Sequence, residues 1–431
     1  MSYLLYIALF LYSSLGTAIL CKQILDTDNK NIYKRDFLAI YVLTRTMAVG
    51  GNISTPIDVL AKQYIGDIPR PIYDHPTPHP PTMGLLLLPL SLFDYVTAKW
   101  LWFFVEFVLL FLTFYIFQLI FHARISWIVF ILIFLSFQSF NPITSELFHG
   151  QVNIPILFLL TWLWLCLNKK QDKLAGFLWG ISILLKQITW PILFIFLFHK
   201  KYMCVLSAVI TILTGYIFAI WIIGWHEITN NLFITLPNIT EYYQDSPWNL
   251  SLWTIGYRSV NGASFTAFTG RKFDVDSLFI FNHGAFLISS IIPLIVLVIS
   301  LFIILRKNDI TQTFPMICGI LTVINPLAWY HYFVIVLLPC LNILRRLISR
   351  NFPPLESTLT IFAFLSISPL ELAWMRIGSY LGGAGLVHFN MVNQLAVPYF
   401  PQLLFFMPTI GVLILSFLSS HTISKSIEDT E

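Results

Sequence analysis

The sequence predicts an all-α polytopic membrane protein, and three observations carry that reading. Of 431 residues, 57% are hydrophobic and only 11% are charged, against about 25% charged in an ordinary soluble domain. Mean hydropathy is +0.78. Apolar runs of about 20 residues, the length that crosses a bilayer core, recur along the chain. Length alone would suggest roughly three soluble domains, but so few charges cannot coat three globular surfaces. The expectation is therefore one integral membrane domain, 1–431. A net charge of +4 is too small to argue for nucleic acid. The cysteines (Cys21, Cys166, Cys204, Cys318 and Cys340) lie in or beside apolar runs without CxxC spacing, so neither a disulfide framework nor a zinc site is expected.

Full-length spans are expected at 3–21, 95–121, 125–141, 152–168, 202–225, 278–305, 328–344, 355–374 and 400–420. The first begins almost at Met1 without a basic n-region or a small-residue cleavage site, and reads as a retained span. Two stretches are less regular. Residues 174–199 are interrupted by Lys186-Gln187 and Pro191 and flanked by lysines, the pattern of two short helices that dip into the membrane and return. Residues 313–325 end at Asn325-Pro326, a short helix that breaks. This gives about 11–12 membrane helices.

Sidedness follows from Lys and Arg in short loops, which stay cytoplasmic. Lys169, Lys170, Lys173, Lys200, Lys201, Arg306, Lys307, Arg345, Arg346 and Arg350 all thread to one face, while loops 142–151 and 325–327 contain neither residue. Both termini then lie in the cytoplasm. Loops 22–94, 226–277 and 375–399 lie outside, the first with interfacial helices. Together with loop 142–151 they bring Asp36, His75, His79, Glu146, His149, Trp248, Asn249, Arg258 and Arg376. A transporter keeps its polar groups near the midplane in broken helices. Polar weight on one outer rim points instead to an enzyme at the membrane–water boundary.

Several constellations can carry chemistry. Asp36, ahead of the aromatic-rich stretch 37–41, is either a solvated loop aspartate or a general base. In Tyr73-Asp74-His75-Pro76-Thr77-Pro78-His79-Pro80-Pro81 the prolines forbid a helix. That run is either a metal site of Asp74 with two histidines or, the reading adopted, a rigid extended entry to an interfacial helix over 83–93 with Leu85–Leu88 buried in the membrane surface. His149-Gly150-Gln151-Val152-Asn153 opens a span, and its amides suit sugar hydroxyls or a helix cap. Lys186, inside apolar residues, is a functional candidate by default with an anionic phosphate as partner; the alternative is snorkelling. Asn325–Tyr332 sits at an outer helix break, where a helix N-terminus offers N–H groups to an anion beside His331. Asn52, Asn238 and Asn249 head N-x-[ST] sequons, glycosylation acceptors only in a eukaryotic host.

Taken together, five ordered segments resemble glycosyltransferase family 87, the bacterial polyprenyl-phosphate-sugar-dependent mannosyltransferases of the GT-C superfamily. They are Asp36-Phe37-Leu38-Ala39-Ile40-Tyr41; Pro80-Pro81 through Pro89-Leu90; Gly150-Gln151-Val152-Asn153; Gly176, Gly180, Lys186 and Pro191; and Pro326-Leu327-Ala328-Trp329-Tyr330-His331. One departure is His79, where the family usually has an aromatic residue. That puts in question the sugar or lipid contact expected there. No motif is found after residue 345.

The resemblance implies a GT-C-type helix bundle and transfer of a sugar, mannose foremost, from a polyprenyl-phosphate donor to a lipid-linked or glycan acceptor hydroxyl. It implies inversion by a single displacement, with Asp36 as the base. The leaving phosphate needs cationic or N–H partners, for which Lys186, His331, Arg258 and Arg376 are the candidates. Gln151, Asn153 and Trp329 are expected to contact carbohydrate, and no metal or other cofactor is expected. The implied location is a bacterial inner membrane with the site facing the periplasm. The alternatives from other classes are a transporter or flippase, and a ligase or polymerase, of lipid-linked glycans.

Overall fold

The computed structural model describes residues 3–420 apart from 27–35, 67–72, 123–125, 245, 247, 256–282, 308, 350–352, 369, 371–372, 374–376 and 378–405. The described residues fold as helices with no strand: an all-α membrane protein. In chain order the helices are α1 (Tyr3–Asp26), α2 (Phe37–Ala48), α3 (Ile57–Tyr64), α4 (Pro81–Leu86), α5 (Tyr95–Ile120), α6 (Trp127–Phe137), α7 (Asn141–His149), α8 (Asn153–Asn168) and α9 (Asp172–Leu185). They continue with α10 (Ile192–Phe198), α11 (Tyr202–Ile223), α12 (Trp225–Asn230), α13 (Leu236–Tyr242), α14 (His283–Leu305), α15 (Ile310–Ile324), α16 (Leu337–Ser349), α17 (Pro354–Ile367) and α18 (Met407–Ser419).

Among the described residues, α5 and α11 are each long and apolar enough to cross a membrane, and α6 with α7 makes a third if that pair is one span bent by 73°. The bend corrects the expectation of a straight span over 125–141. The helix stops at Phe137, and Pro142, in the first turn of α7, cannot extend the preceding helix. The span expected over 328–344 is likewise divided. Residues Tyr330–Val336 form a 3-10 helix and α16 follows. Pro339 explains the division, because its ring would collide with the carbonyl of Ile335, four residues back, in a continuous α-helix.

In the first outer loop the stretch expected as an interfacial helix, 83–93, holds α4 and a 3-10 turn. Ahead of it α2 is a core element: Phe37, Ile40, Val42 and Leu43 are fully buried. It packs against α3, α4 and α5. Tyr41 Oη donates to the carbonyl of Phe93 at 2.9 Å and Arg45 Nη1 to that of Ser91 at 2.6 Å, which ties the 3-10 turn Leu88–Leu92 to α2. Residues 73–80 are non-helical, and α4 begins at Pro81, a position where proline's missing N–H removes no helix bond. Within α4 the residues buried in protein are Pro81–Gly84, while Leu86 faces outward.

The interrupted stretch 174–199 folds as two helices that return to their starting face. Lys201 Nζ donates to Asp172 Oδ1 at 2.9 Å, so the two ends of the segment meet. Gly176 and Gly180 let α9 lie against α11: a Cβ on Gly176 would come within 2.1 Å of the Cys204 carbonyl, and one on Gly180 within 2.7 Å of Thr211. This small-x-x-x-small spacing is how helices approach closely in lipid. At the tip, Lys186 is extended (φ −162°, ψ 130°). Carbonyls freed by the break find partners: Thr82 Oγ1 donates to Leu184 O at 2.7 Å and Trp179 Nε1 to Thr189 O at 2.9 Å.

Asn249, expected as a glycosylation sequon, is fully buried. Its Oδ1 accepts from Ala328 N at 3.0 Å and Ser251 N at 3.2 Å, and its Nδ2 donates to Pro326 O at 3.1 Å. It therefore clamps the 325–329 turn to residues 249–251. Asn249→Ala leaves those groups unpaired in the interior, so stability should fall by about 1–3 kcal/mol. Thermal unfolding in detergent measures this, and an unchanged midpoint would show that the clamp contributes nothing.

Candidate functional site

A cavity of about 440 Å³ opens where α2, the 73–79 run, the α7–α8 turn, the hairpin tip and the 327–332 segment converge. Six of the residues expected from the sequence line it: Asp36, His79, Gln151, Lys186, Trp329 and His331. Asn153 does not. Its side chain is fully buried between Glu146 and Lys186. Arg258 and Arg376 lie outside the described residues.

Asp36 stands at the N-terminus of α2. Tyr73 Oη donates to its Oδ1 at 2.7 Å, and Gln151 Nε2 to its Oδ2 at 3.2 Å. His149 Nδ1 lies 3.3 Å from Oδ2, within ion-pair reach but off the axis of a hydrogen bond. Burial by itself would raise the Asp36 carboxyl. The facing His149, then His331 and the Tyr73 hydroxyl, outweigh it and hold the group below the usual carboxylate range. Burial, with the Asp36 charge second, pushes the Tyr73 phenol well above its ordinary value. Tyr73 therefore stays a donor and Asp36 an acceptor.

Besides His149, three side chains of the cavity lining present polar atoms that no protein group satisfies. Gln151 Oε1, His79 Nε2 and His331 Nε2 are all buried without a hydrogen-bond partner, and such atoms call for a ligand or solvent to satisfy them. Burial, then the nearby Lys186 charge, lowers the His79 imidazole to about 3, so it meets a ligand as a neutral ring. His331 sits between His149, tilted against it with ring centroids 5.4 Å apart, and Tyr332, edge-on at 5.0 Å. His75, by contrast, is engaged at both nitrogens, by Pro76 O at 2.7 Å and Tyr243 Oη at 2.8 Å. It braces the wall. Among the described residues no three His, Cys, Asp or Glu side chains converge on a metal position.

The remaining wall is aromatic. Trp329 meets Tyr243 edge-on at 5.5 Å, and Trp248 lies along the same cavity. The lining thus combines flat apolar rings with a carboxylate, amides, imidazoles and an ammonium. A pyranose combines C–H faces with hydroxyl edges in the same way.

Sequence reasoning passed over three residues. Tyr73 grips Asp36 from 37 positions away, a distance at which no periodicity signals contact. Tyr332 touches Lys186 from a third segment. The third is Lys99, a further lysine buried within an apolar run. It sits on α5 with 2% exposure, its Nζ 5.3 Å from the Phe37 ring centroid and against Gly150. Gly150 takes φ +67°, and a Cβ there would come within 2.1 Å of Lys99 Nζ. Glycine suits the left-handed turn, and its bare Cα leaves the space that the Lys99 side chain fills.

The family model of glycosyltransferase family 87 matches residues 78–326. That range contains His79, Gln151 and Lys186, while Asp36 and His331 reach the same cavity from the flanking chain. No curated protein and no solved structure matches the chain.

Proposed function

From the premise that the chain belongs to glycosyltransferase family 87, we propose that it moves a sugar, mannose foremost, from polyprenyl phosphate to a glycan or lipid-linked acceptor hydroxyl. The observation that carries this reading is one cavity holding an ionised carboxylate, Asp36, together with a buried ammonium, Lys186, and an unsatisfied imidazole, His331. Asp36 takes the proton of the acceptor hydroxyl. The acceptor oxygen attacks the anomeric carbon, the bond from that carbon to the phosphate oxygen breaks with inversion, and the electron pair leaves with the phosphate. Phosphate charge is stabilised by donors already in place, Lys186 first and the neighbouring imidazoles after it. A phosphate leaving group needs no added proton. Gln151 Oε1 and the Trp329 ring are suited to a sugar's hydroxyls and C–H face respectively. Arg258 and Arg376 keep their proposed phosphate role from the outer loops.

The test is incubation of the protein in nanodiscs with radiolabelled polyprenyl-phosphate mannose, glucose and arabinose and a panel of mannosides and lipid-linked glycans. Transfer from the mannosyl lipid with inverted anomeric configuration is expected. Transfer from a nucleotide sugar instead would overturn the reading.

The proposed orientation puts this cavity on the periplasmic face of a bacterial inner membrane. Val59, 51% exposed on α3, and Lys170, exposed in the α8–α9 connector, test it. A cysteine replacing Val59 should react with an impermeant thiol reagent on intact spheroplasts, and one replacing Lys170 only after lysis. The opposite pattern would invert the topology.

A further inference from the structure

Lys186 is held in a way that its placement in the cavity does not by itself require. Its Nζ lies 3.7 Å from the centroid of the Tyr332 ring. From another side it donates to Asn153 Oδ1 at 3.3 Å. Asn153 Nδ2 in turn donates to Glu146 Oε2 at 2.8 Å, and the Glu146 carboxylate also accepts from the backbone N–H groups of Asn153 and Ile154. Glu146 and Asn153 are fully buried, and Tyr332 is 6% exposed.

Two consequences follow from this geometry. The Asn153 amide can face only one way, because a carboxylate accepts hydrogen bonds and an ammonium donates them. Glu146 takes the NH₂ end and so turns the carbonyl toward Lys186. Further, among the described residues no carboxylate comes within ion-pair distance of Lys186 Nζ. The ammonium touches a ring and an amide, while the Glu146 and Asp36 carboxylates act on it from beyond ion-pair distance. At least one of its three N–H donors remains for something else.

We infer that Tyr332 and Asn153 are positioning residues that hold the Lys186 ammonium ready for an anionic phosphate, with Glu146 acting through Asn153 by fixing its amide. This rests on the reading of Lys186 as the donor-phosphate contact. A lysine side chain left free loses considerable rotamer entropy when it orders on a ligand. A ring and an amide that fix it beforehand remove that loss at the moment of binding. Asn153 then belongs to the phosphate side of the site rather than to carbohydrate recognition.

The test measures binding of a short-chain polyprenyl phosphate, and of the corresponding polyprenol as a control without phosphate, to the protein in nanodiscs. Tyr332→Phe keeps the ring and should bind the phosphate like the wild type. Tyr332→Leu removes it and should weaken phosphate binding about five- to twentyfold while leaving polyprenol binding unchanged. In a Lys186→Met background the leucine substitution should add nothing. Asn153→Leu should repeat the pattern and serves if Tyr332→Leu fails to fold. The inference is overturned if Tyr332→Leu binds phosphate normally, if it weakens phosphate and alcohol alike, or if its effect persists without Lys186. A Lys186→Met variant that itself binds the phosphate normally would instead remove the assignment of Lys186 on which the inference rests.

Discussion

Asp36→Asn should lower sugar transfer by ~10²–10⁴-fold, the range attributed to a positioned general base. The amide retains the size of the carboxylate and can still accept from Tyr73 and Gln151 through its oxygen. It cannot take the acceptor's proton. Donor binding should survive, because the proposed phosphate contacts come from the Lys186 side of the cavity. Near-normal turnover in the variant would return Asp36 to a purely structural role. Glu146 would not replace it, since its carboxylate is committed to the start of α8. The pH dependence follows from the same geometry. The Asp36 pKa lies below its ordinary 3.8, so the group is ionised throughout the neutral range. Activity should be lost through its protonation only as pH falls below that value, and its contribution to folding, present above 3.8, should fade over the same interval. A base held this low is intrinsically weak, and position has to make up for that.

Lys186→Met should weaken binding of polyprenyl phosphate roughly 10–100-fold and lower transfer with it. An anion at the edge of a low-dielectric layer depends on an opposite charge more than it would in water. The fold should persist, because methionine fills a similar volume and the hairpin is closed at its other end by Lys201 and Asp172. Lys186→Arg should recover part of both losses, since charge returns while the single-point geometry of the ammonium does not. If the methionine variant binds the donor normally and merely gains stability, Lys186 is a structural residue, and His331 is the group to which the phosphate falls.

Membrane class and the helix break at Lys186 could be read directly from composition and pattern, because apolar run length and interrupting polar residues report on them without tertiary information. Gly176 and Gly180 were picked out through the family resemblance alone, and their packing role appears only with α11 beside them. The burial of α2 was not. Phe37–Leu43 looks like any aromatic outer-loop stretch until α3, α4 and α5 close around it. The division of α6 from α7 and the 3-10 turn before α16 needed attention to Pro142 and Pro339, whose effects fall on residues before them. At the site, six cavity residues were identified singly, but their partners were invisible. Tyr73, His149 and Tyr332 matter through contacts spanning 37, 113 and 146 positions in the chain, which residue type alone cannot encode. Asn153 was found as a polar residue, but only three dimensions show Glu146 and Lys186 on either side of it.

The closed base of the hairpin turns α9 into a ruler. With Asp172 fastened to Lys201 and Gly176 and Gly180 pressed on α11, the helix cannot slide. Its 14 residues, at ~1.5 Å each, set the reach of the ammonium from that anchor at about 21 Å. One residue more or fewer would shift the charge by ~1.5 Å and swing it by ~100° around the axis, away from the Tyr332 ring and out of the chamber shared with Asp36. Length in this segment is therefore under tighter constraint than composition: an apolar exchange along α9 is a matter of packing, whereas a single insertion relocates the ammonium.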